Sequence, residues 1–103
     1  MTPTQRSLKY LRADDWFCAV VEHWNNFARI RQDLFGVVDI LAIRDGETLA
    51  VQTTSGSNVS ARVRKIADAE ATPHIRAAGW RFEIHGWSKN SRGIYVLRVV
   101  NVS

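Results

Sequence analysis

An acid and an amide stand where apolar side chains are expected. Asp39 interrupts the run Val37-Val38-Asp39-Ile40-Leu41-Ala42-Ile43, and Gln52 interrupts Leu49-Ala50-Val51-Gln52-Thr53-Thr54. Between the runs lies Asp45-Gly46, a pair suited to a two-residue type I′ turn, in which both central residues take positive φ. Such a turn pairs Arg44 with Glu47, so that directly opposed residues have numbers summing to 91. Asp39 and Gln52 satisfy that sum, and Val37 and Thr54 continue the same face. The two polar side chains are then expected side by side, with β-carbons ~5 Å apart. A buried carboxylate without a partner is strongly destabilising. Two groups can offset it: a hydrogen-bonding amide, which makes the pair structural, or a metal ion, which makes it functional. Perturbed carboxylates cluster at functional sites, and that favours function.

The nearest further acids are Asp33, in Arg31-Gln32-Asp33-Leu34-Phe35-Gly36, and Glu22, at the end of an aromatic and β-branched run. Either would complete a hard-cation site of oxygen ligands with Asp39 and Gln52. The plainer alternative makes Asp33 a loop cap and Glu22 a solvated residue. Lys65 is placed to swing its ammonium toward Thr54, or else to lie on the surface. Ser55, Ser57 and Asn58 precede a helix start, where hydroxyls and amides can meet a phosphate, and Arg62, Arg64 and Lys65 add charge. Arg29 and Arg31 supply a basic rim on the other side. Lys89 and Arg92 bracket a turn just after Trp87, a place for stacking on nucleic acid. His23, His74 and His85 share no metal-like spacing and read as ordinary polar residues, and the four tryptophans read mostly as core.

These residues need elements to hold them. Thr2-Pro3 is an N-cap followed by proline, and Leu8 and Leu11 give an apolar stripe, predicting a helix over 3–13. Trp16 to Trp24 predicts a strand, with a continued helix as the rival. Residues 25–36 read as a polar, basic connection. Val37 to Ile43, apolar on both faces, predicts a strand covered on two sides. Val59, Val63 and Ile66 carry helical spacing through about 58–78, capped by Asn58 or Ser60, stopped by Gly79 and kinked or broken at Pro73. Two alternating runs, from Trp80 and from Ile94, close the chain as an antiparallel pair. The order is α-β-β-β-α-β-β, an α/β fold with a mixed central sheet flanked by helices.

At 103 residues and 46% hydrophobic, the chain suits one domain, residues 1–103. Fourteen Lys and Arg against ten Asp and Glu give a net +4, which suits a polyanionic partner. The single cysteine, Cys18, forms neither an intrachain disulfide nor a cysteine-based zinc site. No run reads as a signal peptide or as a membrane span, so a cytoplasmic protein without a membrane partner is expected.

The strand Val37-Val38-Asp39-Ile40-Leu41-Ala42-Ile43 after a glycine-containing loop, the tight turn, and Leu49-Ala50-Val51-Gln52-Thr53-Thr54 thirteen residues on resemble the core of the PD-(D/E)XK nuclease superfamily. The likeness is nearest to Holliday-junction resolvases and small phage-type nucleases. It extends to the first helix, the helix after the hairpin and the closing strands. The resemblance implies a restriction-endonuclease-like core and Mg2+- or Mn2+-dependent hydrolysis of phosphodiester bonds in branched DNA, with a homodimer to cut opposed strands. Asp39 stands at the family's metal-binding aspartate and Gln52 at its second carboxylate. Thr54 stands at its lysine, and the helix glutamate of many resolvases falls near Thr4 or Gln5. Gln52 and Thr54 depart from the family pattern: the amide brings no charge to a cation, and the hydroxyl brings none to a transition state. The alternative is a nuclease-fold protein of weak or no activity that binds nucleic acid or a protein partner.

Overall fold

The computed structural model describes residues 1–103. Helix α1 spans Pro3–Ala13, started by a reciprocal cap in which the Thr2 hydroxyl accepts from the Gln5 N–H and the Gln5 side chain accepts from the Thr2 N–H. Strands β1 (Phe17–Val20), β2 (His23–Asn25), β3 (Ile30–Gln32), β4 (Ile40–Arg44) and β5 (Glu47–Ser55) follow. A short 3₁₀ turn, Gly56–Asn58, leads into α2 (Val59–Asp68), then α3 (Thr72–Ala77), β6 (Arg81–Lys89) and β7 (Tyr95–Asn101). Five strands form one sheet in the order β1-β4-β5-β6-β7, and only the β5–β6 pair is parallel. The α2–α3 crossover makes that parallel pair possible. The expected mixed sheet flanked by helices is the fold observed.

Each face of the sheet has its own core. Leu11 of α1 packs with Trp16, Ile40, Ala42, Leu49 and Val51 on one side. On the other, Val59 and Ile66 of α2 and Ile75 of α3 pack with Val37, Val38, Ala50, Phe82 and Ile84. Coverage on both faces explains why every residue from Leu49 to Thr54 is buried. The Asp45-Gly46 turn has the expected positive φ values, 48° and 79°, and the hairpin register sums to 91 from Arg44↔Glu47 to Ile40↔Val51.

Several boundaries differ from expectation. The strand expected through Trp24 ends at Val20, because β1 pairs with β4 only as far as Ile40. Beyond it the chain leaves the sheet, and His23–Asn25, at the end of the expected strand, pairs with Ile30–Gln32, inside the expected connection, as a separate hairpin. The strand expected from Val37 begins at Ile40: Phe35 (φ 54°) and Gly36 (φ 79°) turn the chain sharply, and Leu34 pairs with Val38. Val37 therefore does not face Thr54 across a ladder. The helix expected over 58–78 is interrupted as expected, but at Ala69, which is extended, and Pro73 sits in the first turn of α3, where its missing N–H costs no helical hydrogen bond.

Candidate metal and nucleic-acid site

Because β4 starts at Ile40 while β5 runs on to Ser55, the last residues of β5 have no neighbour on the β4 side. The gap is occupied by the bend at Asp39. Its N–H donates to the Val51 carbonyl, so Asp39 and Ile40 together oppose one residue, as in a bulge. The bend aims the carboxylate back over β5. Asp39 Oδ2 accepts from Gln52 Nε2 (2.8 Å), the Thr53 N–H (2.7 Å) and the Thr53 hydroxyl (3.2 Å). The expected Asp39 to Gln52 contact forms, although the backbone ladder stops one residue before it.

Two other acids converge on this point. Asp33 arrives from just after β3 and Glu22 from just before β2, and ligand oxygens of Glu22, Asp33 and Asp39 all lie within 4.8 Å of one another. The β2–β3 hairpin, absent from the expected topology, is the element that brings them in. Each acid has a donor. Arg31 lies 3.6 Å from Glu22 and Lys65 3.6 Å from Asp33, while Gln52 Nε2 also reaches Asp33 Oδ2 at 3.2 Å. Lys65 Nζ donates to Gln52 Oε1 at 3.4 Å, so its ammonium reaches into the cleft from α2. Gln52 thus turns its nitrogen toward the carboxylates and its oxygen toward Lys65.

Burial pushes the Asp39 carboxyl up to about 7, with the hydrogen bond to Asp33 adding to the rise and the Thr53 N–H and the Gln52 amide opposing it. A hard cation could take the place of that proton, because it would be met by the other oxygens that converge there. Glu22, Asp33 and Asp39 fit such an ion as a donor set.

The cleft has a volume of about 750 Å³. It contains most of the expected site: Asp39, Gln52, Thr54, Lys65, Asp33 and Glu22, with Arg31, Ser55, Asn58 and Arg62 on its walls. Five expected residues do not line it. Arg29 sits in the β2–β3 turn, and Arg64 lies two positions from Arg62, about 200° round α2. The Ser57 hydroxyl turns to Ser55, and Lys89 and Arg92 lie at the β6–β7 turn.

The first turn of α1 lines the cleft as well, with the Thr4 hydroxyl 2.8 Å from that of Thr53 and 3.5 Å from Glu22 Oε1. The resemblance pointed to Thr4 and Gln5, but nothing in the sequence marks Thr53, whose amide N–H does the work. His85 also departs from expectation. It is buried, its ring nitrogens 3.0 Å from the Ser7 hydroxyl and 3.3 Å from Glu83; the His85 contact and, after it, Arg81 hold the Glu83 carboxyl below its usual range against the desolvation that would raise it.

No model of a protein family, no curated protein and no solved structure matches this chain. No helix is long and apolar enough to cross a membrane.

Proposed function

We propose that this protein is a metal-dependent endonuclease that hydrolyses phosphodiester bonds in branched or otherwise structured DNA, as its resemblance to PD-(D/E)XK nucleases implies. The observation that carries this reading is the convergence of Glu22, Asp33 and Asp39 in one open cleft beside Lys65, Arg62 and Arg31. Magnesium or manganese would be held by the three acids, and when bound supplies Lewis acidity toward a phosphodiester. The remaining chemistry belongs to the chain. Gln52 orients Asp39 and Asp33 through its nitrogen. Lys65 takes the electrostatic role of the lysine that Thr54 replaces, its ammonium positioned to stabilise charge that develops on a phosphate in the cleft. Arg31 and Arg62 neutralise neighbouring phosphates. Cutting opposed strands requires two such sites, so the reading carries a symmetric homodimer, which sedimentation of the protein checks.

A second reading, a nuclease-fold protein that binds nucleic acid or a protein partner without cutting, is favoured by the donors already serving each acid. The two separate on labelled four-way junctions, single strands and duplexes with magnesium or manganese. The nuclease reading expects cleavage, and expects Asp39→Asn to keep DNA binding while cleavage falls at least roughly a hundredfold. If the protein cuts nothing with either metal, and Gln52→Glu with Thr54→Lys restores nothing, the binding reading replaces it.

A further inference from the structure

Helix α1 separates two concave surfaces. Thr4, Gln5 and Leu8 line the acid cleft, whereas Arg6, Lys9 and Tyr10, on another face of the helix, line a second depression of about 690 Å³ with Trp87 and with Asp14, whose carboxylate is paired with Arg44. Over the end of the β6–β7 pair, the Arg6 guanidinium carbon lies 3.5 Å from the centre of the Tyr95 ring, and Lys89 Nζ lies 5.6 Å from the same ring. Tyr10 and Tyr95 are 43% and 39% exposed. Arg6, Lys9 and Lys89 form no ion pair with any acid, unlike Arg31, Arg44, Lys65 and Arg81.

We propose that this surface, formed by Arg6, Lys9 and Tyr10 of α1 with Lys89 and Tyr95 of the β6–β7 pair, binds single-stranded nucleic acid. The inference rests on the nucleic-acid reading above, but not on cleavage. Cations without an acid partner attract phosphates; one face of Tyr95 is covered by Arg6 and Tyr10 leans on His85, so bases would stack on the parts of these rings that remain exposed and on the Arg6 guanidinium. A duplex presents the phosphates but keeps its base faces stacked, so rings beside cations select for an unpaired strand. An acidic peptide offers charge without flat faces. Arg6 is already held over Tyr95, so ordering it on binding costs little rotamer freedom. The Trp87 indole N–H donates to Ser7, which fixes that ring as a wall of the depression. A strand leaving the acid cleft has only to cross the first turns of α1, from Thr4 to Arg6, to reach this surface. The two sites together suit a junction between duplex and unpaired strand.

The test is fluorescence anisotropy with labelled oligo(dT) and with a duplex of equal length, in a chelator so that nothing is cut. Arg6→Ala with Lys89→Ala is expected to weaken oligo(dT) binding roughly tenfold and to lower the slope of log affinity against log salt by about two. Tyr95→Leu is expected to weaken oligo(dT) several-fold with the slope unchanged, and duplex binding is expected to change less in both cases. Thermal melting checks the fold of each variant, and Arg6→Gln replaces Arg6→Ala if the latter melts early. Unchanged oligo(dT) affinity in all variants overturns the proposal, as does an equal loss for duplex, or poly-glutamate competing as well as oligo(dT). A wild-type protein that binds no nucleic acid removes this proposal and the reading beneath it together. Binding that responds only to Arg62→Ala removes this one alone.

Discussion

Asp39 is the residue on which local structure and chemistry meet. The chain bends there, the side chain is buried, and one oxygen collects three donors. Desolvation outweighs those donors, so the folded protein holds the Asp39 proton up to about pH 7, against an ordinary value of 3.8. Between those values the folded state binds more protons than the unfolded one. The stabilising contribution is therefore complete at low pH and lost as pH rises through about 7. In a chelator, the melting temperature of the wild-type protein is expected to fall across that window relative to Asp39→Asn, and the variant to melt several degrees higher at about pH 8. Magnesium at that pH is expected to raise the wild-type midpoint and leave the variant's unmoved. Superimposable melting profiles of the two proteins against pH, with or without magnesium, would refute this account of the site.

At the scale of elements, the site depends on how closely α2 approaches β6. Gly86 lies beside Thr54 in the parallel pair, and a β-carbon added there would fall 2.4 Å from Val59 Cγ2, at the start of α2. Hydrogen in place of a methyl group lets the 3₁₀ turn and α2 settle over the sheet, which brings Asn58, Arg62 and Lys65 to the cleft. Gly86→Ala is expected to destabilise the protein by ~1–3 kcal/mol in urea unfolding and to weaken DNA binding as α2 is displaced. Gly46→Ala provides the contrast. At φ 79° it strains the β4–β5 turn by ~1 kcal/mol, with open space around the new methyl group and no cleft residue nearby, so binding is expected to be retained. A Gly86→Ala protein as stable as wild type would show that the helix shifts freely.

Across the whole molecule, charge is sorted rather than uniform. The acids of the cleft are ringed by Arg31, Arg62 and Lys65, within a chain of net charge +4. On the proposed function, a polyanion would be drawn by the overall charge and held where cations face the cleft. Arg62→Ala is expected to weaken duplex binding and to reduce the slope of log affinity against log salt by about one, the signature of one lost phosphate contact. Arg64→Ala, which removes the same charge from a different side of α2, is expected to leave the slope nearly unchanged. Equal effects of the two substitutions in salt titrations would mean that net charge, not the cleft, governs binding.

Local features were legible in the sequence because they depend on neighbours in the chain. Proline after Thr2 and the Gln5 side chain set the start of α1, and the positive-φ preference of Asp45-Gly46 set the turn. A two-residue turn also fixes pairing from Arg44↔Glu47 to Ile40↔Val51, which makes the nearness of Asp39 and Gln52 legible in the sequence, although their contact is completed by the bend at Asp39 and not by the ladder. Asp33, Glu22 and Lys65 were identifiable as candidates only by their chemistry, since no period sets the direction of a side chain outside a regular element. Their convergence required the β2–β3 hairpin to fold back and α2 to dock over β5. The placement of His85 between Ser7 and Glu83, and of Arg6 over Tyr95, likewise joins residues far apart in the chain. Sequence determined the faces of the strands, the turn and its register. Tertiary packing decided which acids share one site and which way the Gln52 amide points, because both follow from non-local contacts between side chains carried on separate elements.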